Sequence, residues 1–177
     1  VGIKTGVIID KTVASRVIPS SYFLDLRGHK DSDYVWDVVC DWATLHDGSS
    51  PWKTVGVTSW SVTCDISTAG PTAGGRDQAG AFTASSWIHF YLIYKSSDGT
   101  KSIIASASAS APSLPTGYDY YMRCSSGRVR ADDTLAPIVQ FNATHFGSAE
   151  LMHDAHPVTA DAWESLDLSG YVPATAT

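Results

Sequence analysis

Two short stretches gather side chains that can hold a metal ion. His153-Asp154-Ala155-His156 separates two imidazoles by three positions, close enough to meet on a helical turn, with Asp154 as a third donor. Pro157 then disfavours helix at His156, so a solvated loop is the expectation and a metal site, shared between subunits, the sharper alternative. His29-Lys30-Asp31-Ser32-Asp33 sets an Asp-x-Asp pair beside a histidine. Calcium takes about six to eight oxygen ligands, and the rest of an EF-hand loop is missing here. A polar surface loop is expected.

Nucleophilic and acid–base chemistry find less to work with. Glu150 and Glu164 are the only glutamates among 18 acidic residues, and no signature nominates a carboxylate pair for glycoside hydrolysis. There is no Gly-x-Ser-x-Gly, and Cys40, Cys64 and Cys124 sit in strand-like contexts that imply burial. GGRDQAG, at Gly74 to Gly80, lacks the spacing and terminal lysine of a phosphate loop. Asn142-Ala143-Thr144 matches a glycosylation acceptor, a motif short enough to arise by chance. No catalytic residue and no cofactor is expected. Binding is better served: Trp52, Trp87, Tyr91, Tyr118 and Tyr120 are candidates to stack on sugar rings, with Asp and Ser nearby for the hydroxyls.

Such rings need a frame, and the residue choice points to strands. There are two Glu, six Lys and nine Leu against 23 Ser, 16 Thr and 19 aromatics. Glu, Lys and Leu fill helices, whereas Thr, Val and the aromatics fit pleated surfaces. The 44% apolar content is ordinary for a folded domain, and 177 residues suit a single one. Alternation marks the strands. Trp60, Val62, Cys64 and Ile66 face one way within Ser59 to Ile66; Trp36, Val38, Cys40 and Trp42 do so within Tyr34 to Trp42, leaving Val35, Asp37, Val39 and Asp41 on the other face. Shorter strands are expected at Gly6 to Ile9, Tyr22 to Leu26, Tyr118 to Cys124, Ile138 to Phe141 and Glu164 to Leu168, and weak helical turns near Val13 to Val17 or Ala160 to Glu164. Turn chemistry falls at His46 to Gly48, Ala69 to Gly80, Asp98-Gly99, Pro112 to Gly117 and Ser125 to Gly127. Short strands at this spacing predict an all-β fold, an antiparallel β-sandwich of jelly-roll type.

The densest aromatic segment, Trp87 to Tyr94, precedes Asp98-Gly99 and a run of alternating Ala and Ser that ends at Pro112. A two-residue turn at Asp98-Gly99 would set Ser97 opposite Thr100. Ile88, Phe90, Leu92 and Tyr94 then lie over Ala109, Ala107, Ala105 and Ile103, large side chains over small ones. The other face sets Trp87, His89, Tyr91 and Ile93 beside Ser110, Ser108, Ser106 and Ile104. A four-residue loop keeps these faces, and a three-residue loop inverts them. Trp87, His89 and Tyr91 are therefore candidates for a sugar platform or a subunit contact, unless a further layer covers them.

The net charge of -6 and the absence of any basic cluster denser than Arg123, Arg128 and Arg130 make nucleic acid and anionic membranes poor partners. The longest apolar runs are a few residues, too short for membrane insertion. Three cysteines cannot all pair within the chain: free buried thiols are expected, with one Cys40–Cys64 bridge as the alternative. Val1 opens the sequence without an initiator Met or a signal-peptide pattern, and YVPATAT reads as a lead-in to another strand. Processing, or a piece cut from a longer chain, is the expectation at both ends.

The order of segments resembles that of many tailed-bacteriophage virion proteins. The pieces that carry the resemblance are Trp60 to Ser67, GGRDQAG, SSWIHFYLIY at Ser85 to Tyr94, SSDGT at Ser96 to Thr100 and SASASAPSLPTGYDYYMR at Ser106 to Arg123. PIVQF at Pro137 to Phe141 and LDLSGYVPATAT at Leu166 to Thr177 complete it, so it spans about residues 60 to 177. These are turns and strand pairs, with no catalytic residue among them. Arg76 stands where that family usually has an apolar residue, and the first third, residues 1–58, has no counterpart and is expected to be an attachment element or added strands. The resemblance implies a non-enzymatic β-sandwich in a phage particle, made in the bacterial cytoplasm. It would form a trimer or other symmetric homo-oligomer with further virion proteins at a tail, fibre or capsid surface, with a part in host attachment. A module that binds host surface polysaccharide is the alternative, and a polysaccharide-degrading enzyme a third.

Overall fold

The computed structural model of the chain describes residues 22–141 and 144–147. The expected strands at 6–9 and 164–168, the helical turns and the Asn142 acceptor motif lie outside the described residues. Those described form nine strands and no helix: β1 (Phe23–Leu24), β2 (Arg27–Lys30), β3 (Val35–His46), β4 (Thr54–Asp65), β5 (Trp87–Lys95), β6 (Thr100–Ser106), β7 (Tyr120–Arg128), β8 (Ile138–Phe141) and β9 (Thr144–Gly147). They hydrogen-bond, antiparallel throughout, into one sheet of order β6-β5-β7-β3-β2-β8-β9, with β1 and β4 also paired to β3.

The longest ladder joins β3 to β4, from Val35 opposite Asp65 to His46 opposite Thr54. Alternation buries Trp36, Val38 and Cys40 on β3 and Trp60 and Cys64 on β4, as the periodicity requires. Beyond Cys40 the phase changes. Ala43 and Leu45 are the buried residues, while Trp42, expected inward, is only half-buried and lies over Gly56. Ser59, the residue facing this break, has φ of 59°, a left-handed conformation that re-aims side chains, while the β3–β4 pairing keeps one register on both sides of it.

Strand β5 lies between β6 and β7 and is buried from Ile88 to Ile93 without alternation. A strand covered on both faces has no wet side to carry polar residues. One face meets the core, where the Phe90 ring stacks on Trp36 with centroids 5.3 Å apart and planes 16° from parallel. Through this stack the β5–β6–β7 half of the sheet packs on the β2–β3–β4 half. The sheet bends far enough to bring β6 beside β4, where Lys101 Nζ donates to the carbonyls of Thr58 and Ser59 at 3.0 and 2.7 Å. Among the described strands, the ladder pairing between the halves is the single pair His46 and Tyr121.

The hairpin of β5 and β6 keeps the expected faces but shifts its register by two residues. Lys95 pairs with Thr100 across a four-residue connection, Ser96 to Gly99, so Phe90 lies beside Ala105 and Leu92 beside Ile103. β6 then ends at Ser106. The Ala and Ser run does not continue as a strand, and its backbone turns on its own hydroxyls: Ser108 N–H donates to Ser106 Oγ and Ala111 N–H to Ser108 Oγ. The expected turn at Ser125 to Gly127 is instead part of β7. Its small residues admit the Phe90 ring, which a Cβ on Gly127 would approach to 3.1 Å.

GGRDQAG occupies the outer edge of β6. Gly74 N–H donates to Ile103 O, Ala105 N–H to Gly75 O and Asp77 N–H to Ala105 O, so the loop satisfies an edge that would otherwise offer bare donors and acceptors. Arg76, 9% exposed, donates to the Ile66 and Ala79 carbonyls at 2.9 and 3.1 Å. Its charge is buried because it ties the two ends of this loop together. Gly28 illustrates the same economy of space on β2: a Cβ there would lie 2.7 Å from Trp36 Cζ2. Gly28→Ala should therefore cost about 1–3 kcal/mol through overpacking, whereas Gly80→Ala, with nothing within 4 Å, should be close to neutral. Urea denaturation of both variants measures the contrast.

Candidate functional site

The aromatic stripe of β5 is not a surface. Tyr91 is 1% and His89 5% exposed, and Trp87 is half-buried. Tyr91 forms a second small core with Ile93 and Ile104, lidded by Ala73, Leu114, Tyr118 and Tyr121. Tyr91 donates its hydroxyl to Ser108 O at 2.8 Å, and Arg123 donates to Ala109 O at 3.0 Å, so the Ala and Ser run is fastened over the stripe. Burial takes His89 and Tyr91 out of a sugar platform, which leaves Trp87, half-buried, as the one ring of the three with exposed surface. Tyr118 and Tyr120 are half-buried, the former in this lid and the latter against the main core.

Trp52 is the exception, 60% exposed. Its ring stacks on His46 at 4.6 Å, and His46 meets Tyr121 edge-on at 4.5 Å. His153, Asp154 and His156 lie outside the described residues. The polar knot at His29 to Asp33 is not wholly a loop, because Arg27 to Lys30 form β2. Asp33 accepts from Lys30 at 3.0 Å and its carbonyl holds Leu135 N–H, which turns it away from a shared site with His29.

What β2 does bring together is a row that sequence spacing does not reveal. Gly28 faces the core, so Arg27 and His29 face outward. β8 supplies Phe141 beside Arg27 and Val139 beside His29, and β3 supplies Val39 and Asp37 on the other side. The result is a shallow depression of about 310 Å³ on the outer face, lined by these six side chains together with Gly28, Val38 and Gln140. Its apolar side chains are open to solvent: Val39 is 39%, Val139 52% and Phe141 50% exposed. Leu24, 60% exposed, lies farther along β3 opposite Trp42. At the polar end His29 Nε2 is 3.9 Å from Asp37 Oδ2, and donor atoms of His29, Asp31 and Asp37 all lie within 4.8 Å of one another. Thr63 donates its hydroxyl to Asp37 Oδ1 at 2.6 Å and fixes that carboxylate. Asp37 and Val39 were legible as members of the wet face of β3. Their partners on β2 and β8 come from distant sequence.

Comparison with protein-family models, with curated proteins and with solved structures finds no match to this chain. The site is therefore judged on its own chemistry. The described carboxylates with displaced ionisation are all pushed toward the anion. Hydroxyl donation from Ser49 lowers the pKa of Asp47, from Thr100 that of Asp98 to about 2, and from Thr134 that of Asp132. Each is an Asp-x-Ser or Asp-x-Thr turn in which the carboxylate also accepts the backbone N–H two residues on. Asp65 and Ser67 repeat the pattern. Four of the aspartates thus serve turns.

Cys40, Cys64 and Cys124 are free and buried. Burial raises all three thiols, that of Cys124 to about 12, which suppresses the reactive thiolate. The folded protein should show almost no reaction with a disulfide reagent at pH 8 and release three thiols on denaturation; a rapid native thiol would contradict this burial. His89 is held neutral, its pKa lowered by burial first and by Arg123 second, with Nδ1 2.8 Å from Ser126 Oγ. Its unfolded pKa is about 6.5, so its contribution to stability is present above that pH and is lost as pH falls toward the lower folded value. Denaturation midpoints should decline between pH 7.5 and 5, and the His89 imidazole should titrate below the ordinary histidine range by NMR.

Proposed function

We propose that this chain is a non-enzymatic structural component of a bacteriophage virion, assembling as a homo-oligomer, with a trimer favoured, at a tail, fibre or capsid surface. The observation that supports assembly is the exposure of Val139 and Phe141 on one face of β8 and of Val39 on β3, the two strands that flank β2 in the outer groove. Adjacent exposed apolar side chains on a rigid sheet are the usual material of subunit contacts. Support for a virion is of a different kind: the order of turns and strand pairs from Trp60 onward resembles that of tailed-phage virion proteins. The packing of the two sheet halves around Trp36 and Phe90 supports a sandwich of jelly-roll type. The anion-stabilising turns at Asp47, Asp98 and Asp132 favour a structural over a hydrolytic role for those carboxylates.

Sedimentation of the full chain tests assembly. An oligomer at micromolar concentration is expected, with more than roughly 2,000 Å² buried per obligate contact. Val139→Asp and Phe141→Asp should each remove about 1.5–3 kcal/mol of apolar burial, weakening association on the order of tenfold to a hundredfold. A chain that stays monomeric overturns the reading.

Trp52 favours a second reading, contact with a host surface polysaccharide. Its ring is exposed and backed by His46, as a sugar-stacking side chain would be. Tryptophan fluorescence that responds to host polysaccharide, and loses the response in Trp52→Ala, would support it; an unchanged spectrum would remove it.

A further inference from the structure

We propose that His29, Asp31 and Asp37 form a binding site for a divalent cation of the zinc class, with water completing the coordination shell. The inference stands apart from the assembly reading, because it rests on the polar end of the groove and on different side chains.

The three donors converge by construction of the sheet. His29 and Asp37 are directly paired across β2 and β3, and Asp31 follows His29 by two positions, the interval that returns a side chain to the same face. Asp31 N–H donates to Val35 O at 3.0 Å and fixes the turn that leads back into β3. One imidazole and two carboxylates thus stand within 4.8 Å of one another, with the closest measured pair, His29 Nε2 and Asp37 Oδ2, at 3.9 Å. Zinc bound at about 2.0–2.2 Å holds tetrahedral donors roughly 3.3–3.5 Å apart. The side chains of His29 and Asp37 are 57% and 31% exposed, so small rotations can make up the difference.

Neighbouring charges leave this set intact. The two cations of β2 are directed to other carboxylates, Arg27 to Asp25 at 2.7 Å and Lys30 to Asp33 at 3.0 Å. Thr63 occupies Asp37 Oδ1 and leaves Oδ2 as the oxygen nearer His29. This is the outer contact that orients a carboxylate ligand. The nitrogen donor and the small number of carboxylates favour zinc over calcium, which needs more oxygens. Three protein donors with one position left to water is the usual arrangement of an open zinc site.

The test uses the full chain with His153→Ala and His156→Ala, so that the other histidine pair cannot report. Zinc is titrated against a chromophoric competitor while the His29 imidazole is followed by NMR. Binding of one zinc per chain is expected, with the His29 resonances shifted, and at least a tenfold loss of affinity in His29→Ala and in Asp37→Asn. Asp33→Asn should bind as the parent does. Melting temperatures without zinc should match among these surface variants, which separates loss of a ligand from loss of the fold. No saturable binding below about 100 µM zinc, or unchanged affinity in His29→Ala, overturns the proposal.

Discussion

The contact between Trp36 and Phe90 is the constraint on which the other packing depends. Trp36 belongs to β3, the strand with the most partners, and Phe90 to β5, which is covered on both faces. Burying a tryptophan removes about 150–250 Å² from water, or about 4–6 kcal/mol at the usual coefficient. Among the described residues the buried Trp36 indole N–H has no hydrogen-bond partner, a cost of about 1–3 kcal/mol. Burial wins, and the geometry follows from it. β2 must carry Gly28 where it crosses the indole, and β7 must carry Gly127 where it crosses the Phe90 ring.

Once β5 is buried on its inner face, its outer face needs a cover, and the chain supplies one from loops instead of another sheet. The connection from β4 to β5 runs along the β6 edge and is tied by Arg76, while the Ala and Ser run and the 112–118 turn close over Tyr91. Small residues suit that run because a chain lying close above a sheet has little room for side chains. The same residues therefore serve as a lid, where alternation had pointed to a neighbouring strand.

With that face closed on β5, the chemistry open to solvent lies on the outer face of the other half of the sheet. There β2, β3 and β8 set an apolar patch beside a histidine and two aspartates. The two ends of this groove call for different ligands, an apolar surface and a cation, and the strand register sets them side by side. Trp52 stands apart, at the His46 end of β3, on its own aromatic support.

Composition and period-two alternation were enough to determine an all-β fold of the described residues, the first part of β3 and the second part of β4, the limits of β8, the inner face of β5 and the burial of the cysteines. Those features depend on residues within one segment, whose polarity pattern states which side faces water. The alternation did not distinguish a sandwich from the single antiparallel sheet into which the described strands pair, because one sheet and two present the same period-two pattern. The register of the β5–β6 hairpin depended on loop length, which Asp98-Gly99 leaves open because its turn can take in the two residues before it. β2 was missed because four residues with Gly and three charges carry no strand signal, and its pairing with β3 and β8 supplies what its sequence lacks. The convergence of His29 with Asp37 and of Arg27 with Val39 and Phe141 was decided by tertiary structure alone, since cross-strand neighbours are chosen by register between segments far apart in the chain.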